Sequence, residues 1–291
     1  METLKQKRSL MNRSTVLGFT LLASAIVLGG CSAISSTSSS SSDAVAQVAA
    51  NSEPFTYDAY AEILETYVDD EGFVDYLGLQ QNRTGLDRFN ASIGAVSPET
   101  YNSWSEDEQL AFLINAYNSF TLQSIIDQDP LKSSIRDIPG VWRIRRFSIA
   151  GESKTLDNIE HQTIRVDFNE PRIHAAVNCS AISCPVLRRE PFNGENLDQQ
   201  LEEQTARWLL SSEGIQINRD AGEVRISALF DWFGEDWVGD YSVESGFDGS
   251  DKQRAALNFI SQYISEEDAE YLQAGGYRVR YLDYNWALND Q

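Results

Sequence analysis

One stretch of this chain limits the fold more than any other, because the residues from Ser105 to about Asp127 are apolar on nearly every helical face. Ser105 and the three acidic residues after it form a capping box, which marks a helix N-terminus. The main apolar stripe repeats at helical spacing and consists of Leu110, Leu113, Ile114, Tyr117, Thr121 and Ile125. Phe112 and Ala116 cover much of the remaining surface. A helix that is apolar all round is buried, so we predict a central helix around which the domain packs.

Two asparagines lie on this predicted helix. Asn115 and Asn118 occupy a stripe that lies about a third of a turn from the main apolar stripe. Buried amides must find hydrogen-bond partners. These two side chains therefore either tie neighbouring loops to the helix or line a pocket, and the sequence pattern is compatible with both.

The other predicted elements mix helices with hairpins. Apolar periodicity predicts helices over residues 57–67, 85–93, 197–210 and 255–264, and a short aromatic helix capped by Ser227. Alternating patterns predict strands over residues 143–149, 172–178, 215–217, 224–226 and 277–281. This mixture is typical of the α+β class. We expect a single domain in which the central buried helix packs on a small mixed or antiparallel sheet.

The N-terminal residues predict export and lipidation. Residues 16–31 are apolar, follow Arg13 and are too short for a membrane-spanning helix, which is typical of a secretory signal. The segment Leu28–Cys31, with the sequence Leu-Gly-Gly-Cys, resembles a bacterial lipobox. We therefore predict that residues 1–31 are a lipoprotein signal peptide and that Cys31 carries the lipid.

A flexible tether is predicted between this lipid and the folded domain. Residues 32–53 are rich in serine and small residues, which cannot bury enough apolar surface to fold. Residues 54–291 are predicted to form the globular domain. Ser32 resembles the sorting signal for the outer membrane, so we expect a bacterial cell-envelope protein, lipid-anchored and facing the periplasm. Met11 heads a more typical signal than Met1, so either methionine is a plausible start.

The charge of the chain excludes one class of partner. The formal net charge is −21, and it is −24 without residues 1–31, where four basic residues outnumber one acidic residue. A surface this acidic repels nucleic acid and anionic headgroups. The dinucleotide, P-loop, zinc-protease and serine-hydrolase motifs are absent from the sequence, and we predict no cofactor. The expected partners are the membrane, through the N-terminal lipid, and an unknown small-molecule or peptide ligand.

Reactive residue types are concentrated in one window of 24 residues. The only two histidines of the chain, and its only two cysteines outside the predicted signal, are His161, His174, Cys179 and Cys184. We refer to these four residues as the His/Cys cluster. Histidine and cysteine act readily as nucleophile, base or soft metal ligand near neutral pH. Any such chemistry in this protein is therefore expected here.

Three interpretations of the His/Cys cluster compete. Cys179 and Cys184 are an even pair in an oxidising compartment and could form a disulfide that braces a loop. A zinc site is a second interpretation, but the spacing of the four residues matches no standard finger, and we predict no metal.

A Cys–His nucleophile is the third interpretation. Cys179 lies at the end of a predicted strand, and His174 or His161 could act as its base. Pairing with His174 requires a bend in the chain, because positions five apart point to opposite faces of a strand. Glu160, Asp157 or one of the two asparagines could orient an imidazole ring.

Several motifs resemble the domain of unknown function 547. They lie over roughly residues 57–289 and comprise Ala111–Asn118, Leu156–His161, Pro171–Cys179, Ser183–Pro185, Asp231–Asp236 and Tyr284–Asn289. The resemblance places the following residues on the signature positions of the family: Asn115, Asn118, Glu160, His161, Arg172, His174, Cys179, Cys184 and Pro185. The sequence departs from the family pattern at Leu113, where tryptophan is common, and at Asn285, where aspartate is usual.

A weaker analogy is to papain-like and transglutaminase-like folds, which place a nucleophile on a central helix and a histidine on a later strand. The predicted central helix here has Asn115 and Asn118 where those folds use cysteine. Our leading hypothesis is a cysteine-dependent hydrolase or acyl transferase with Cys179 as nucleophile. In it, His174 or His161 is the base, and Asn115 or Asn118 is an orienting or oxyanion-stabilising group. The alternative is a non-catalytic envelope binding or scaffolding lipoprotein in which a Cys179–Cys184 disulfide braces the fold.

Overall fold

Helices surround one long central helix. The structure, a computed structural model, describes residues 54–291, so the predicted lipid site at Cys31 and the predicted tether over residues 32–53 lie outside the described residues. The first six α-helices are α1 (Asp58–Tyr67), α2 (Tyr76–Gln81), α3 (Thr84–Ala95), α4 (Pro98–Ser103), α5 (Glu106–Ile126) and α6 (Leu156–Ile159). The later ones are α7 (Arg165–Asp167), α8 (Ile173–Ala176), α9 (Leu197–Leu209), α10 (Leu229–Trp232), α11 (Glu235–Tyr241), α12 (Asp251–Ile260) and α13 (Glu266–Ala274).

The predicted central helix is α5. Ser105 caps it by accepting a hydrogen bond from the backbone N–H of Glu108 at 3.2 Å, and the acidic first turn suits the positive end of the helix dipole. Every residue from 110 to 126 is buried. Its buried hydroxyls donate to carbonyls one turn earlier, as Thr121 does to Tyr117 at 2.8 Å. The uniform burial explains why the segment is apolar on all faces.

The strands form two small sheets. They are β1 (Phe147–Ile149), β2 (Glu152–Lys154), β3 (Ile215–Asn218), β4 (Glu223–Ile226) and β5 (Arg278–Tyr281). The first two strands form an antiparallel hairpin whose turn residues, Ala150 and Gly151, both have positive φ. In the second sheet β4 is central, antiparallel to β3 and parallel to β5. The α+β class is thus confirmed.

Two apolar clusters make up the core. The first surrounds α5, and the second covers the sheet of β3, β4 and β5. Helix α9 joins them, because Leu197 and Leu201 pack in the first cluster while Trp208 and Leu209 pack in the second. Within residues 54–291, no helix combines the length and apolarity that crossing a bilayer requires.

The central helix α5 contacts the small sheet of β1 and β2, where Phe120 stacks on Phe147 at a centroid distance of 4.3 Å, but helices make up most of its surroundings. The main neighbours of α5 are the helices α2, α3, α6 and α9. The strand predicted over residues 143–149 is limited to β1, because turns occupy residues 139–144. The predicted helix over residues 255–264 is α12, and the further helix α13 follows it.

The strand predicted over residues 172–178 is wrong, because residues 173–176 form the short helix α8. All four residues of α8 are buried, so alternation between a buried and an exposed face could not distinguish a strand from a helix there. The chain becomes extended only at Val177. The expectation that His174 and Cys179 point to opposite faces of a strand therefore does not hold.

Candidate functional site

A cavity of about 500 Å³ is lined by all four residues of the His/Cys cluster. Tyr117 of α5 and Glu160 also line it. The rest of the lining comes from Arg136, residues 138–143, Asp157, Val177, Leu229, Trp232, Phe233, Tyr284 and Trp286. Concave sites of this size are the usual place for small-molecule binding. The structure thus brings together residues that are up to about 170 positions apart in the sequence.

The two thiols of the His/Cys cluster are in direct contact. Cys179 Sγ donates a hydrogen bond to Cys184 Sγ at 2.9 Å, and the backbone N–H of Cys179 donates to the same sulfur. Both cysteines are free, whereas a disulfide bond would need a sulfur separation near 2.05 Å. Cys179 Sγ also lies 3.1 Å from the hydroxyl of Tyr284. We refer to Cys179 and Cys184 as the thiol pair.

The contacts of the thiol pair shift the two pKa values in opposite directions. Donation of its proton to Cys184 and burial raise the pKa of the Cys179 thiol. Burial alone would raise the pKa of Cys184, but the S–H and N–H groups of Cys179 outweigh it and lower that pKa. Cys184 is therefore the member of the pair that becomes a thiolate first, and Cys179 is the more exposed member.

A tight loop fixes the thiol pair. Asn178 accepts a hydrogen bond from the N–H of Ser180 and donates to the carbonyl of Pro185, both at 2.8 Å. Ser180 has a φ of 57°, a left-handed conformation that is uncommon for residues other than glycine. Backbone strain of this kind clusters at functional sites. The sharp turn after Cys179 presents its side chain to the cavity.

The two asparagines of α5 hold backbone and do not line the cavity. Asn118 donates to the carbonyl of Ala176 at 2.9 Å and accepts from the N–H of Asn178 at 2.8 Å. Asn115 makes the same two-point contact with the backbone of Phe192, at 2.7 and 3.0 Å. We refer to these contacts as the asparagine clamps. Each amide already has backbone partners, and the expected orienting or oxyanion-stabilising role of either asparagine stays a prediction.

His174 is buried and belongs to a partly buried network with Asp236 and Arg165. Its Nε2 lies 2.7 Å from Asp236 Oδ2, and Arg165 binds the same carboxylate through two nitrogens at 2.6 and 2.8 Å. The imidazole stacks on Phe233 at a centroid distance of 4.6 Å. Burial alone would raise the pKa of Asp236, but the hydrogen bonds from His174 and Arg165 lower it below its ordinary range. His174 is therefore held rigidly, with one ring nitrogen occupied.

His161 is the more accessible histidine, with 32% of its side chain exposed. It lies on a π-helical turn, Glu160–Ile164, between α6 and α7, and such turns are frequent at functional sites. Arg165 Nη1 lies 3.2 Å from His161 Nδ1, and a guanidinium can only donate, so Nδ1 is the acceptor. Nε2 lies 3.9 Å from Asp157. Among the described residues, neither imidazole hydrogen-bonds to a thiol of the pair.

Four aromatic side chains form a continuous part of the cavity lining. They are Trp142, Trp232, Tyr284 and Trp286, and we call them the aromatic wall. Trp232 stacks on Trp286 at a centroid distance of 5.6 Å and an angle of 20°, and both contact Tyr284. Tyr284 therefore connects the aromatic wall to Cys179.

Sequence reasoning assigned no role to Asp236, Arg165 or Tyr284. Asp236 and Tyr284 occur in two motifs that supported the resemblance, Asp231–Asp236 and Tyr284–Asn289, so those motifs could have indicated their importance.

Arg172 binds Glu170 and Asp198 and lies outside the cavity lining. Within residues 54–291, no three His, Cys, Asp or Glu side chains are grouped to hold a metal ion.

Comparison with known proteins supports the resemblance. Residues 101–209 match the family model described as protein of unknown function, DUF547. This region contains α5, the His/Cys cluster and all of α9, whereas Asp236, Tyr284 and Trp286 lie beyond it. No curated protein and no solved structure matches the chain, so the analogy to papain-like and transglutaminase-like folds receives no support from known structures.

Proposed function

We propose that this chain, whose residues 101–209 match the DUF547 family, is a cysteine-dependent hydrolase or acyl transferase with its active site in the cavity. The observation that carries the proposal is the hydrogen bond from Cys179 Sγ to Cys184 Sγ at 2.9 Å in the cavity wall. An acyl-transfer nucleophile needs a sulfur that can lose its proton next to a ligand. The thiol pair supplies both the nucleophile and the group that accepts its proton.

In this proposal Cys179 attacks the acyl carbon. Its proton passes to the Cys184 thiolate as the bond from sulfur to carbon forms. The bond between the acyl carbon and the leaving group then breaks, and the leaving group takes the proton that Cys184 received. Water, or an acceptor nucleophile, finally removes the acyl group from Cys179. This assignment uses the higher intrinsic nucleophilicity of the thiol with the raised pKa.

Tyr284 and the two histidines take supporting roles. Burial and the neighbouring thiols raise the pKa of Tyr284, so its hydroxyl stays protonated and is able to donate to a developing oxyanion. The Nε2–H of His161, partly exposed at the cavity wall, is the proposed hydrogen-bond donor to the leaving group. His174, bound to Asp236, is a positioning residue in this scheme.

The test is trapping of an acyl-enzyme. The protein is mixed with p-nitrophenyl acetate, quenched in acid, and the peptide that carries both cysteines is analysed by mass spectrometry. We expect saturable turnover and an acetyl group on Cys179. Cys179→Ala should abolish both, whereas Leu210→Ala, at an exposed leucine away from the cavity, should change neither.

Two results would contradict the proposal. One is turnover and acetylation that do not saturate or that persist in Cys179→Ala. The other is a Cys179–Cys184 peptide from air-purified protein that reacts with iodoacetamide only after reduction. That second result would favour the alternative, a non-catalytic binding or scaffolding protein braced by a disulfide.

The lipid anchor is a separate part of the proposal. It is supported by the sequence Leu28–Cys31 and by the apolar segment before it, and it would place the cavity in the bacterial cell envelope. Metabolic labelling with a palmitate analogue should label the wild-type chain but not Cys31→Ser. Equal labelling of both proteins, or of neither, would remove the anchor from the proposal.

A further inference from the structure

We infer that the aromatic wall is a binding subsite for a pyranose ring of a neutral carbohydrate. The inference names the substrate class of the proposed site, an acyl-bearing sugar, and to that extent rests on the proposed function. The binding of the ring itself depends only on the aromatic wall and on the polar groups that face the same cavity.

Trp232 is the most exposed part of the aromatic wall. It is 44% exposed although it lies in a cavity wall, and its inner side packs against Trp286 and Tyr284. Leaving a large aromatic surface in water is unfavourable. An exposed aromatic ring in a cavity wall therefore indicates a binding surface, whereas a single exposed leucine elsewhere on the surface does not. The rigid support behind Trp232 fits a platform for a flat apolar face.

The charged groups of the cavity indicate a neutral ligand. Its lining includes two basic side chains, Arg136 and Arg143, and two carboxylates, Asp157 and Glu160. Arg143 pairs with Asp157 at 3.4 Å, and the Arg136 guanidinium lies 5.2 Å from the centre of the Trp286 ring. A charged ligand would therefore meet no surplus of opposite charge here. The net charge of −21 further opposes an anion at long range.

A sugar ring matches this combination of surfaces. The C–H face of a pyranose is apolar and packs on an aromatic ring, while its hydroxyls both donate and accept hydrogen bonds at the rim. Carboxylates accept and guanidinium groups donate, so the cavity supplies both kinds of partner. The volume of about 500 Å³ lies within the range of roughly 300–1,000 Å³ that is usual for small-ligand sites.

Tyr284 connects the subsite to the proposed chemistry. Its ring packs on Trp232 at a centroid distance of 4.8 Å, and its hydroxyl lies 3.1 Å from Cys179 Sγ. A sugar stacked on the aromatic wall thus places its substituents beside the thiol pair. An ester- or amide-linked acyl group on the ring would be the part that reaches Cys179.

The test measures binding without turnover. The full-length protein is titrated with chitotriose, a neutral acetylated trisaccharide, by isothermal titration calorimetry and by tryptophan fluorescence. We expect saturable binding, at least a tenfold loss of affinity in Trp232→Ala, and a smaller loss in Trp232→Phe, which keeps an aromatic face. Leu210→Ala is the control for an exposed apolar residue. Thermal melting of each variant shows whether the fold is intact.

The outcomes separate this inference from the proposed function. Binding that survives Cys179→Ser and fails in Trp232→Ala supports the subsite, whether or not p-nitrophenyl acetate is turned over. No binding of chitotriose by wild-type protein that does turn over the ester overturns the subsite and leaves the proposed function standing. Equal affinity in wild-type protein and a well-folded Trp232→Ala also overturns it.

Discussion

The asparagine clamps and the thiol pair are two regions of buried polar side chains that use their hydrogen bonds differently. In each clamp the amide donates one hydrogen bond to backbone and accepts another from it, as Asn118 does at Ala176 and Asn178. The thiol pair instead contacts reactive side chains, with Cys179 bonded to Cys184 and close to Tyr284. The clamps lie outside the cavity, whereas the thiol pair lines it.

This difference separates residues that hold the fold from residues that are free to react. A buried amide with two backbone partners cannot turn to a ligand without leaving a carbonyl and an N–H unsatisfied. A thiol whose neighbours are another thiol and a phenol changes protonation state with little change in structure. The four substitutions below test this separation, and they are ordered by their expected effect on stability.

Asn118→Ala should have the largest effect on stability. It leaves the carbonyl of Ala176 and the N–H of Asn178 without their partner in the core, at a cost of about 2–5 kcal/mol in the free energy of unfolding. Urea denaturation measures this loss, and Asn196→Ala, at an exposed position, is the matched control. Unchanged stability combined with lost activity would instead support the orienting or oxyanion-stabilising role for Asn118.

Asp236→Asn should cost about 1.5–3 kcal/mol near neutral pH, because it weakens charged hydrogen bonds to His174 and Arg165. The folded-state pKa of Asp236 is lowered, so its stabilisation is present above the unfolded pKa, near 3.9, and is lost as pH falls through the folded pKa. Denaturation at several pH values should show the wild-type advantage shrinking below about pH 4. The exposed Asp240→Asn should show a much smaller difference at every pH, and equal behaviour of the two variants would argue against the network.

Cys179→Ala should change the free energy of unfolding by less than about 1 kcal/mol and yet alter the remaining thiol. Cys184 loses the S–H donor that stabilises its thiolate, so the pH midpoint of its alkylation should move upward. Peptide-level mass spectrometry of iodoacetamide labelling measures this midpoint. Cys179→Ser keeps a hydrogen-bond donor and should show the smaller shift. An unchanged midpoint in Cys179→Ala would mean that the Cys179 thiol does not stabilise the Cys184 thiolate.

His161→Ala should affect stability least, by less than about 0.5 kcal/mol, because the side chain is partly exposed. If its Nε2–H donates a hydrogen bond to the leaving group, removing it should slow acyl transfer by about 10²-fold. The informative comparison is an ester with a poor leaving group against p-nitrophenyl acetate, since only the poor leaving group needs this hydrogen bond strongly. An equal loss with both esters would assign His161 a structural role.

The long elements were predictable from the sequence, and the short ones at the site were not. Helix α5 has 21 residues, a capping box and apolar residues on nearly every face, so its existence and burial followed from the local sequence. Helix α8 has four residues, all buried, and in such a short apolar run helix and strand look alike. The packing of α5 on helices depends on tertiary contacts that no local pattern records.

The position of the site in the sequence was predictable, but the contacts between its residues were not. The clustering of rare residue types pointed to residues 161–184, and these residues do meet in one cavity. The partner of His174 is 62 positions away at Asp236, and the partner of Cys179 is 105 positions away at Tyr284. Contacts over such separations are set by the fold, so sequence spacing could not reveal them.

The late position of Tyr284 in the sequence also affects the order in which the parts of the site become available. Synthesis produces Cys179 and Cys184 105 and 100 residues before Tyr284, and the segment that holds Tyr284 is fixed through β5 and through pairing of Asn289 with Val74. A nascent chain therefore carries two thiols before the phenol that covers Cys179 exists. During that interval the thiols are open to oxidation or to trapping by electrophiles, and docking of the C-terminal segment would end that exposure.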